Sequence, residues 1–427
     1  MVKVEVNRMQ LYNAVWKSLV SKNKIFTSER DNKVLLKATD NTLKVYSTNY
    51  EVYDINDSYY NSYHNYLSIS IDISDESNDE LIALVDRYNL LNILKSIKSN
   101  KVSLSIQKDG SENYLIISNN IITYRLQSYN HESFIDDVMN KDINDGVVIN
   151  SEALISAIDK VMYTVYRAGI DYVIIRENYN PNIFKGIGFI FENNSFFVAG
   201  TDNYRVAICD LKVPNNLNTR FVITKKAAFT LKKIFNFNNN ILFNIIEEGE
   251  HKIAVFKSDN IVFITEIIKE YPDVFSTINE DKKHLAIKLK LSKKVKEDLI
   301  NTLESFIPER KENLDEKEEE ENKNNKVKLI DFSKPRVIIA KLTLENNNLH
   351  ILSLSDNSEA NIRVNYKGNK YEIMLNALFF LEALENMCAD KVVLKLPSNT
   401  KCGMYIEPAS NCNCLALLMP MEVKYYD

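Results

Sequence analysis

The chain has 427 residues, with 53 Lys and Arg against 58 Asp and Glu, and its formal net charge at pH 7 is −5. This balance argues against a globally basic nucleic-acid binder, but a local basic surface remains compatible with it because salt screens charges beyond roughly 8–10 Å. No apolar run approaches the roughly 18 residues that a membrane helix needs, and the N-terminus lacks a signal-peptide core. We therefore expect a cytoplasmic protein without a membrane partner.

The elements follow one plan that occurs three times, and the clearest sign of it is a repeated hairpin tip. Polar turns separate apolar runs at Asn41, Asn194 and Asn347, which stand 153 residues apart. Asn tolerates the left-handed backbone of a tight turn, so each site predicts a β-hairpin. Three such tips in one chain indicate a domain of about 142 residues in three tandem copies.

The first third begins with an amphipathic helix over Arg8–Val20 and continues with hairpin strands. A second helix follows over Arg87–Ser99, and the unit closes with further strands. The strands predicted here are Lys33–Ala38, Leu43–Ser47, Val102–Gln107, Tyr114–Ser118 and Ile121–Leu126. The alternation of apolar residues in these strands indicates sheets with one buried face.

The second and last thirds repeat the plan. Ser151 is predicted to cap a helix that reaches Arg167, and Thr224 to cap one that ends near Phe235. Hairpin strands are predicted over Gly188–Phe191 and Phe196–Gly200. In the last third we expect Ser292 to cap a helix to Phe306 and Asn376 to cap one to Met387.

Two segments interrupt the plan. Tyr53–Tyr66 is rich in Tyr, Asn, Asp and Ser, and its composition indicates a surface loop or an edge strand. Residues 308–328 contain the acidic run Glu316–Glu321, which predicts a solvated, disordered insertion before the last hairpin.

The sequence contains no clear motif for catalysis, cofactor binding or metal binding. Gly186 and Gly188 lack the third glycine of a dinucleotide loop and fall in a strand pattern. The histidines are scattered without metal-ligand spacing, and Cys412 and Cys414 have no second pair at a zinc-ribbon distance. The five cysteines are most simply reduced thiols. We expect no metal, no cofactor and no enzyme activity; phosphoryl transfer by the acids of Asp72–Asp79 is a distant alternative.

Basic side chains recur at helical spacing, and equivalent helices of a repeated architecture face a common side. Lysine on a flexible stem attracts phosphate without reading bases, which gives sequence-independent, salt-dependent DNA contact. The candidates for this contact are Lys22, Lys24, Lys95, Lys98, Lys160, Arg167, Lys225, Lys226, Lys232, Lys233, Lys293, Lys294 and Lys296.

Four local segments resemble the bacterial sliding clamp family, the beta subunit of DNA polymerase III. Gly200–Ala207 is similar to its Ala-Thr-Asp-Gly-His-Arg-Leu-Ala segment, and Glu270–Asp273 to its Gly-Arg-Phe-Pro-Asp-Tyr segment. Leu417–Met421 is similar to its C-terminal Val-Val-Met-Pro-Met, and Leu375–Leu381 to the start of its last helix.

The resemblance implies an α+β fold of three tandem DNA-clamp domains, each with two helices and antiparallel sheets. The domains would be residues 1–145, 146–279 and 280–427, in a head-to-tail homodimer ring around duplex DNA. Such a clamp is non-catalytic and makes the replicative polymerase processive. Its implied partners are double-stranded DNA, a second copy of itself, the polymerase, the clamp loader, repair polymerases, and mismatch-repair and ligase-type proteins that carry short linear motifs.

The resemblance also implies a peptide pocket. The residues carried over to it are Phe184, Thr201, Asn203, Tyr204, Arg205, Val206, Pro272, Phe379, Gly403, Leu417, Met419, Pro420 and Met421. This chain departs from the family where Asn203 and Tyr204 replace Gly and His. Residues 168–182 form a longer connector, and Lys424–Asp427 extend the end. A repeated-domain scaffold that does not encircle DNA is the alternative.

Overall fold

The structure is a computed structural model of the full chain. It describes residues 3–19, 32–39, 41–54, 60–73, 80–132, 134, 141–165, 186–235, 240–248, 251–307, 338–399, 401–410 and 413–421. The acidic insertion 308–328, the connector 168–182 and the extension Lys424–Asp427 lie outside the described residues.

The chain divides into two compact units. The first unit comprises Met1–Ser156, Asn180–Asn194 and Val213–Glu270. The second unit comprises Ala157–Tyr179, Ser195–Lys212 and Tyr271–Asp427.

Runs of strands separate most of the helices along the described residues. The helices are α1 (Arg8–Lys17), α2 (Arg87–Ser96), α3 (Ser151–Val161), α4 (Lys225–Ile234), α5 (Val274–Lys282), α6 (Lys293–Phe306) and α7 (Ala377–Asn386). The first strands are β1 (Lys3–Asn7), β2 (Lys33–Thr39), β3 (Thr42–Asp54), β4 (Tyr60–Asp72), β5 (Leu81–Asp86), β6 (Lys101–Asp109), β7 (Glu112–Ser118), β8 (Thr123–Ser128) and β9 (Val147–Asn150). The middle strands are β10 (Gly186–Glu192), β11 (Ser195–Thr201), β12 (Arg205–Asp210), β13 (Thr219–Thr224), β14 (Asn240–Glu248), β15 (His251–Ser258) and β16 (Ile261–Glu266). The last strands are β17 (Leu285–Leu291), β18 (Ile339–Glu345), β19 (Asn348–Ser353), β20 (Glu359–Arg363), β21 (Tyr371–Asn376), β22 (Val392–Pro397), β23 (Met404–Pro408) and β24 (Cys414–Leu418).

Antiparallel sheets form the frame of each unit. The first unit holds a sheet in the order β1-β6-β7-β8, an eight-stranded sheet in the order β5-β2-β3-β4-β16-β15-β14-β9, and the pair β13-β10. The second unit holds the order β11-β12-β24-β23-β22-β17 and the four-stranded sheet β20-β19-β18-β21.

The predicted hairpin tips follow the expected turn chemistry. Asn193 and Asn194 lie between β10 and β11 with φ angles of 52° and 57°, and Asn346 and Asn347 lie between β18 and β19 with φ angles of 51° and 61°. Left-handed backbone at both central residues is the type I′ turn that matches strand twist, and Asn adopts it readily. At the first tip, β2 and β3 pair up to the residues that flank the turn.

The helix caps show where local chemistry decides an element's start. Thr224, Ser292 and Asn376 cap α4, α6 and α7 as predicted, each through a side-chain oxygen that accepts a backbone N–H. The prediction for Ser151 is wrong by one residue, because Asn150 Oδ1 accepts the Ala153 N–H at 3.0 Å. An N-cap side chain reaches the second or third helical N–H, which is the geometry at all four sites.

The described residues of Tyr53–Tyr66 form strands, and most of them have a strand neighbour on one side only, which confirms the edge-strand alternative of the prediction. β3 and β4 pair in continuous register from Thr42 opposite Asp72 to Asp54 opposite Tyr60. β4 also pairs with β16 on its other side, but only over Asn65–Ile69, so of the described residues in this segment Asn65 and Tyr66 lie in the interior of the sheet. Polar and aromatic residues extend a long antiparallel ribbon here because its backbone hydrogen bonds need no apolar face.

Phenylalanine side chains from β10, β13, β14 and β15 pack against one another in the core of the first unit. The Phe189 and Phe221 rings lie 5.4 Å apart, Phe221 and Phe243 5.9 Å apart, and Phe243 and Phe256 5.1 Å apart. All four side chains are buried. Burial of such a side chain contributes about 1.5–3 kcal/mol relative to leaving it exposed, so each of the four rings favours the folded unit.

The expectation of reduced thiols is wrong for part of the chain. Cys209 and Cys414 form a disulfide across β12 and β24, where the strand register sets them directly opposite. Cys388 is disulfide-bonded as well, whereas Cys402 is a free, buried thiol. The error arose because 205 residues separate Cys209 from Cys414, so only the folded register reveals that they meet.

Candidate functional site: a peptide-binding surface and lysine-bearing helices

In the second unit, the segment Thr201–Val206 lies beside the C-terminal strand. Val206 of β12 pairs with Leu417 of β24, and the Met419 N–H donates to the Tyr204 carbonyl at 2.8 Å. Beyond β24, the Met421 N–H donates to the Met374 carbonyl at 2.8 Å. The two segments that sequence analysis assigned to one pocket, more than two hundred residues apart, are therefore hydrogen-bonded neighbours.

The turn Thr201–Arg205 is closed by its own side chains. Thr201 Oγ1 donates to the Arg205 carbonyl at 2.8 Å and accepts the Asn203 N–H at 3.2 Å. Asp202 Oδ1 accepts the backbone N–H groups of Tyr204 and Arg205, each at 3.1 Å. Asn203 has a φ of 78°, in the left-handed region that Gly or Asn favours, so its replacement of the family's Gly is compatible with the turn.

Arg205 does not present its charge to solvent, which corrects its assignment to the binding surface. Its Nε donates to Asp202 Oδ2 at 2.7 Å and its Nη1 to Glu382 Oε2 at 2.5 Å. The Phe379 ring covers the guanidinium with its centroid 3.9 Å away. Burial lowers the pKa of Arg205, but the Asp202 and Glu382 carboxylates more than offset this, and the net shift is upward. Arg205 thus supports the surface from beneath.

Two buried tyrosines complete the surroundings of this ion-pair network. Burial raises the pKa of Tyr163, which the Arg205 charge opposes and the Glu382 charge reinforces. Burial and the Asp202 charge raise the pKa of Tyr271 in the same direction. Both phenols therefore stay neutral, so the network contains one cation and two carboxylates.

Sequence reasoning missed Asp202, Glu382, Tyr163 and Tyr271. Only Glu382 carried a usable signal, since an acid that lies between Leu381 and Ala383 on an apolar helix face requires a buried partner.

The predicted pocket residues separate by exposure. Asn203 is exposed, and the half-buried members are Tyr204, Val206, Pro272, Phe379, Met419, Pro420 and Met421. The buried members are Thr201, Arg205, Gly403 and Leu417. A Cβ on Gly403 would lie 2.8 Å from Leu417 Cγ, so this glycine leaves room for the Leu417 side chain. Phe184 lies outside the described residues. The accessible members are mainly apolar and aromatic, which suits an apolar peptide side chain.

The basic residues predicted to contact DNA also differ in exposure. The exposed ones are Lys95, Lys98, Lys233, Lys293 and Lys294, and the half-buried ones are Lys160, Lys225, Lys226 and Lys232. Lys22, Lys24 and Arg167 lie outside the described residues. The carbonyls of Met387 and Ala389 accept from the buried Lys296 Nζ at 2.9 and 3.0 Å, which corrects its assignment to an exposed face. Burial lowers the pKa of Lys296, in keeping with this inward position.

Within the part of the chain that the structure describes, no group of three or more His, Cys, Asp or Glu side chains could hold a metal ion. None of the described helices is long and apolar enough to cross a membrane. The strand β10 contains both Gly186 and Gly188, as predicted from their alternating pattern.

Comparison with solved structures defines the class of fold. The DNA polymerase III subunit beta of Pseudomonas aeruginosa superposes with a TM-score of 0.70 at 15% identity, covering 99% of this chain and 100% of that one. The Helicobacter pylori beta clamp bound to a DNA ligase peptide superposes with a TM-score of 0.67 at 19% identity, with the same coverage. The fold is therefore that of the sliding clamps.

Sequence comparison then gives the family. Models described as the central and the C-terminal domain of the DNA polymerase III beta subunit match residues 149–273 and 304–422, together more than half of the chain. The chain belongs to the DNA polymerase III beta subunit family. A beta sliding clamp of Buchnera aphidicola subsp. Rhopalosiphum padi is 25% identical over 235 residues, which is 52% of this chain and 54% of that relative. This alignment spans about half the length of the curated relative.

Proposed function

We propose that the chain is a non-catalytic DNA sliding clamp that encircles duplex DNA and tethers replication and repair proteins to it. The observation that carries the proposal is the pairing of Tyr204–Val206 with Leu417–Met419 in one unit. Family membership adds to it, because this family gives the two segments a common role in binding partners.

The proposed DNA contact uses the exposed and half-buried lysines of the helices. Lysine carries its charge on a long stem, and such contacts with phosphate give affinity without base readout and permit sliding. We omit Lys296 from this surface because its Nζ is engaged by two carbonyls. A head-to-tail homodimer would form a ring, because repeated heterologous interfaces give a ring when the rotation between subunits leads back to the first subunit.

The three clamp domains of the proposed ring are residues 1–145, 146–279 and 280–427. The family models lie within the second and third of these ranges at 149–273 and 304–422. We propose that the protein acts in bacterial DNA replication and that it is located in the cytoplasm.

The proposed partners are short peptides from the polymerase, the clamp loader and repair proteins. The Helicobacter pylori relative was solved with a DNA ligase peptide, which supports this class of ligand. Tyr204, Phe379 and Met419 offer half-buried apolar surface, and methionine adapts to several partners. Deletion of residues 419–427 should abolish peptide binding in a fluorescence-anisotropy assay, whereas retained affinity would place the peptide site elsewhere.

Encirclement distinguishes the clamp from a scaffold that uses the same fold without DNA. A closed ring stays on nicked circular DNA and slides off once the DNA is cut. Light scattering provides a second test, because a monomer at micromolar concentration would contradict the homodimer.

A further inference from the structure

Three helices of the first unit expose an aromatic side chain. Trp16 on α1 is 50% exposed, Tyr88 on α2 is 49% exposed and Phe229 on α4 is 46% exposed. Large aromatic rings are usually buried, and exposed clusters of them indicate an interaction surface.

Each ring lies beside a cation. Lys233 Nζ is 5.1 Å from the Trp16 ring centroid, and the Arg87 guanidinium carbon is 5.3 Å from that of Tyr88. Lys225 and Lys232 Nζ lie 6.0 and 5.6 Å from the Phe229 centroid. These distances fall within the range of cation–π attraction. Arg87 itself is buried, whereas Lys233 beside Trp16 is exposed and the two lysines beside Phe229 are half-buried.

Hydrogen bonds join the three helices at this surface. The Arg87 Nε of α2 donates to the Val15 carbonyl at 3.1 Å, and its Nη2 donates to the Trp16 carbonyl at 2.8 Å. From α1, Lys17 Nζ donates to the Ile234 carbonyl at the end of α4, at 3.0 Å. The Lys233 Nζ reaches back to the Ser18 carbonyl at 3.5 Å. The three helices that carry the rings are therefore joined to one another, and Lys233 of α4 lies against the Trp16 ring of α1.

Positive charge is crowded at this junction. Lys233 is exposed overall, yet partial burial and the nearby Arg87 charge lower the pKa of Lys233 to about 8. A bound anion would relieve the repulsion between Lys233 and Arg87, because opposite charge favours both ionised forms. The surface therefore complements a negatively charged partner that also has apolar faces.

We propose that Trp16, Tyr88 and Phe229 form a stacking platform for unpaired nucleotides of single-stranded DNA, with Lys225, Lys232 and Lys233 engaging the phosphates. Sequence-independent binders of single strands combine a basic surface with exposed rings in this way. Duplex DNA offers the lysines its phosphates but keeps its base faces stacked inside. The platform thus goes beyond the proposed duplex contact and makes a separate prediction.

Intrinsic fluorescence tests the platform directly, because Trp16 is the only tryptophan of the chain. The full-length protein is titrated at low salt with oligothymidylate and with a hairpin duplex of equal phosphate number. Stacking predicts saturable quenching of Trp16 emission by the single strand and little quenching by the duplex. Equal quenching by both, or quenching by neither, would overturn the platform.

Variants provide an independent readout by anisotropy of labelled oligonucleotides. Trp16→Ala with Phe229→Ala should weaken single-strand binding about tenfold and leave duplex binding unchanged. Trp16→Phe should retain most of the affinity, and Ile121→Ala, at an 89% exposed residue of the same unit, should have no effect. An unchanged thermal midpoint verifies that each variant is folded.

Equal losses for single-stranded and duplex DNA, or no loss, would contradict the stacking role. Retention on nicked circular DNA tests the clamp function separately, so failure of one proposal is distinguishable from failure of the other.

Discussion

Replacement of Arg205 should destabilise the second unit strongly, because this residue is the cation of a buried network. Its side chain is 2% exposed, and the paired side chains of Asp202 and Glu382 are each 1% exposed. Arg205→Met would leave two carboxylates within a few ångströms of each other without a cation. Removal of one partner from a buried ion pair costs about 3–5 kcal/mol, and we expect this range at pH 7.

The pH dependence of this loss follows from the orphaned carboxylates. Their charges cost the fold free energy only while both groups are ionised, so acidification that protonates them removes the penalty. The difference between the wild type and Arg205→Met should therefore shrink as the pH is lowered. Adding Glu382→Gln to Arg205→Met should recover part of the loss, since a single carboxylate then remains.

Urea unfolding followed by circular dichroism measures these differences without screening the charges. Arg220→Met is the matched control, because the Arg220–Glu270 pair spans 3.4 Å and is partly exposed. Exposed pairs contribute about 0–1 kcal/mol, so this control should change stability little. A loss for Arg205→Met no larger than that for Arg220→Met would refute the account of the network.

Three further predictions concern the DNA surface and the disulfide. Lys225→Glu with Lys232→Glu should weaken DNA loading and leave the dimer intact by light scattering. DNA affinity of the wild type should fall as pH rises through about 8, where Lys233 loses its proton, and Lys233→Arg should remove this fall in an anisotropy titration. Reduction of the Cys209–Cys414 disulfide, which closes a long loop, should lower the free energy of unfolding by about 2–5 kcal/mol, whereas Cys209→Ser should respond less to reductant.

Each of these predictions has an outcome that contradicts it. Unchanged loading by the charge-reversed variant would remove the helix lysines from the DNA contact. The same pH profile for wild type and Lys233→Arg would show that another group titrates. A free energy of unfolding that does not change on addition of reductant would show that the bond between Cys209 and Cys414 does not stabilise the fold.

Features that rest on local backbone chemistry could be predicted from the sequence. The turns at Asn194 and Asn347 and the caps at Thr224 and Ser292 depend on residues within one turn of each other. Short-range hydrogen bonds and left-handed φ angles decide these features, and both can be inferred from residue types.

Features that depend on distant partners could not be predicted in the same way. Helical periodicity placed Lys296 beside exposed lysines, but its ammonium group meets carbonyls about 90 residues away. The family resemblance placed Arg205 in the peptide pocket, and it could not reveal the buried partner Glu382, which is 177 residues away. The sequence analysis predicted no helix at α5, although the Asp273 side chain caps it by accepting the Ser276 N–H.

Retention on circular DNA is the most direct test of the central claim. The protein is loaded onto nicked circular DNA, separated from free protein by gel filtration, and measured before and after the circle is cut by a restriction enzyme. A sliding clamp should stay with the circle through high-salt washing and be lost on linearisation. Equal retention on circular and linear DNA, or none on either, would contradict encirclement.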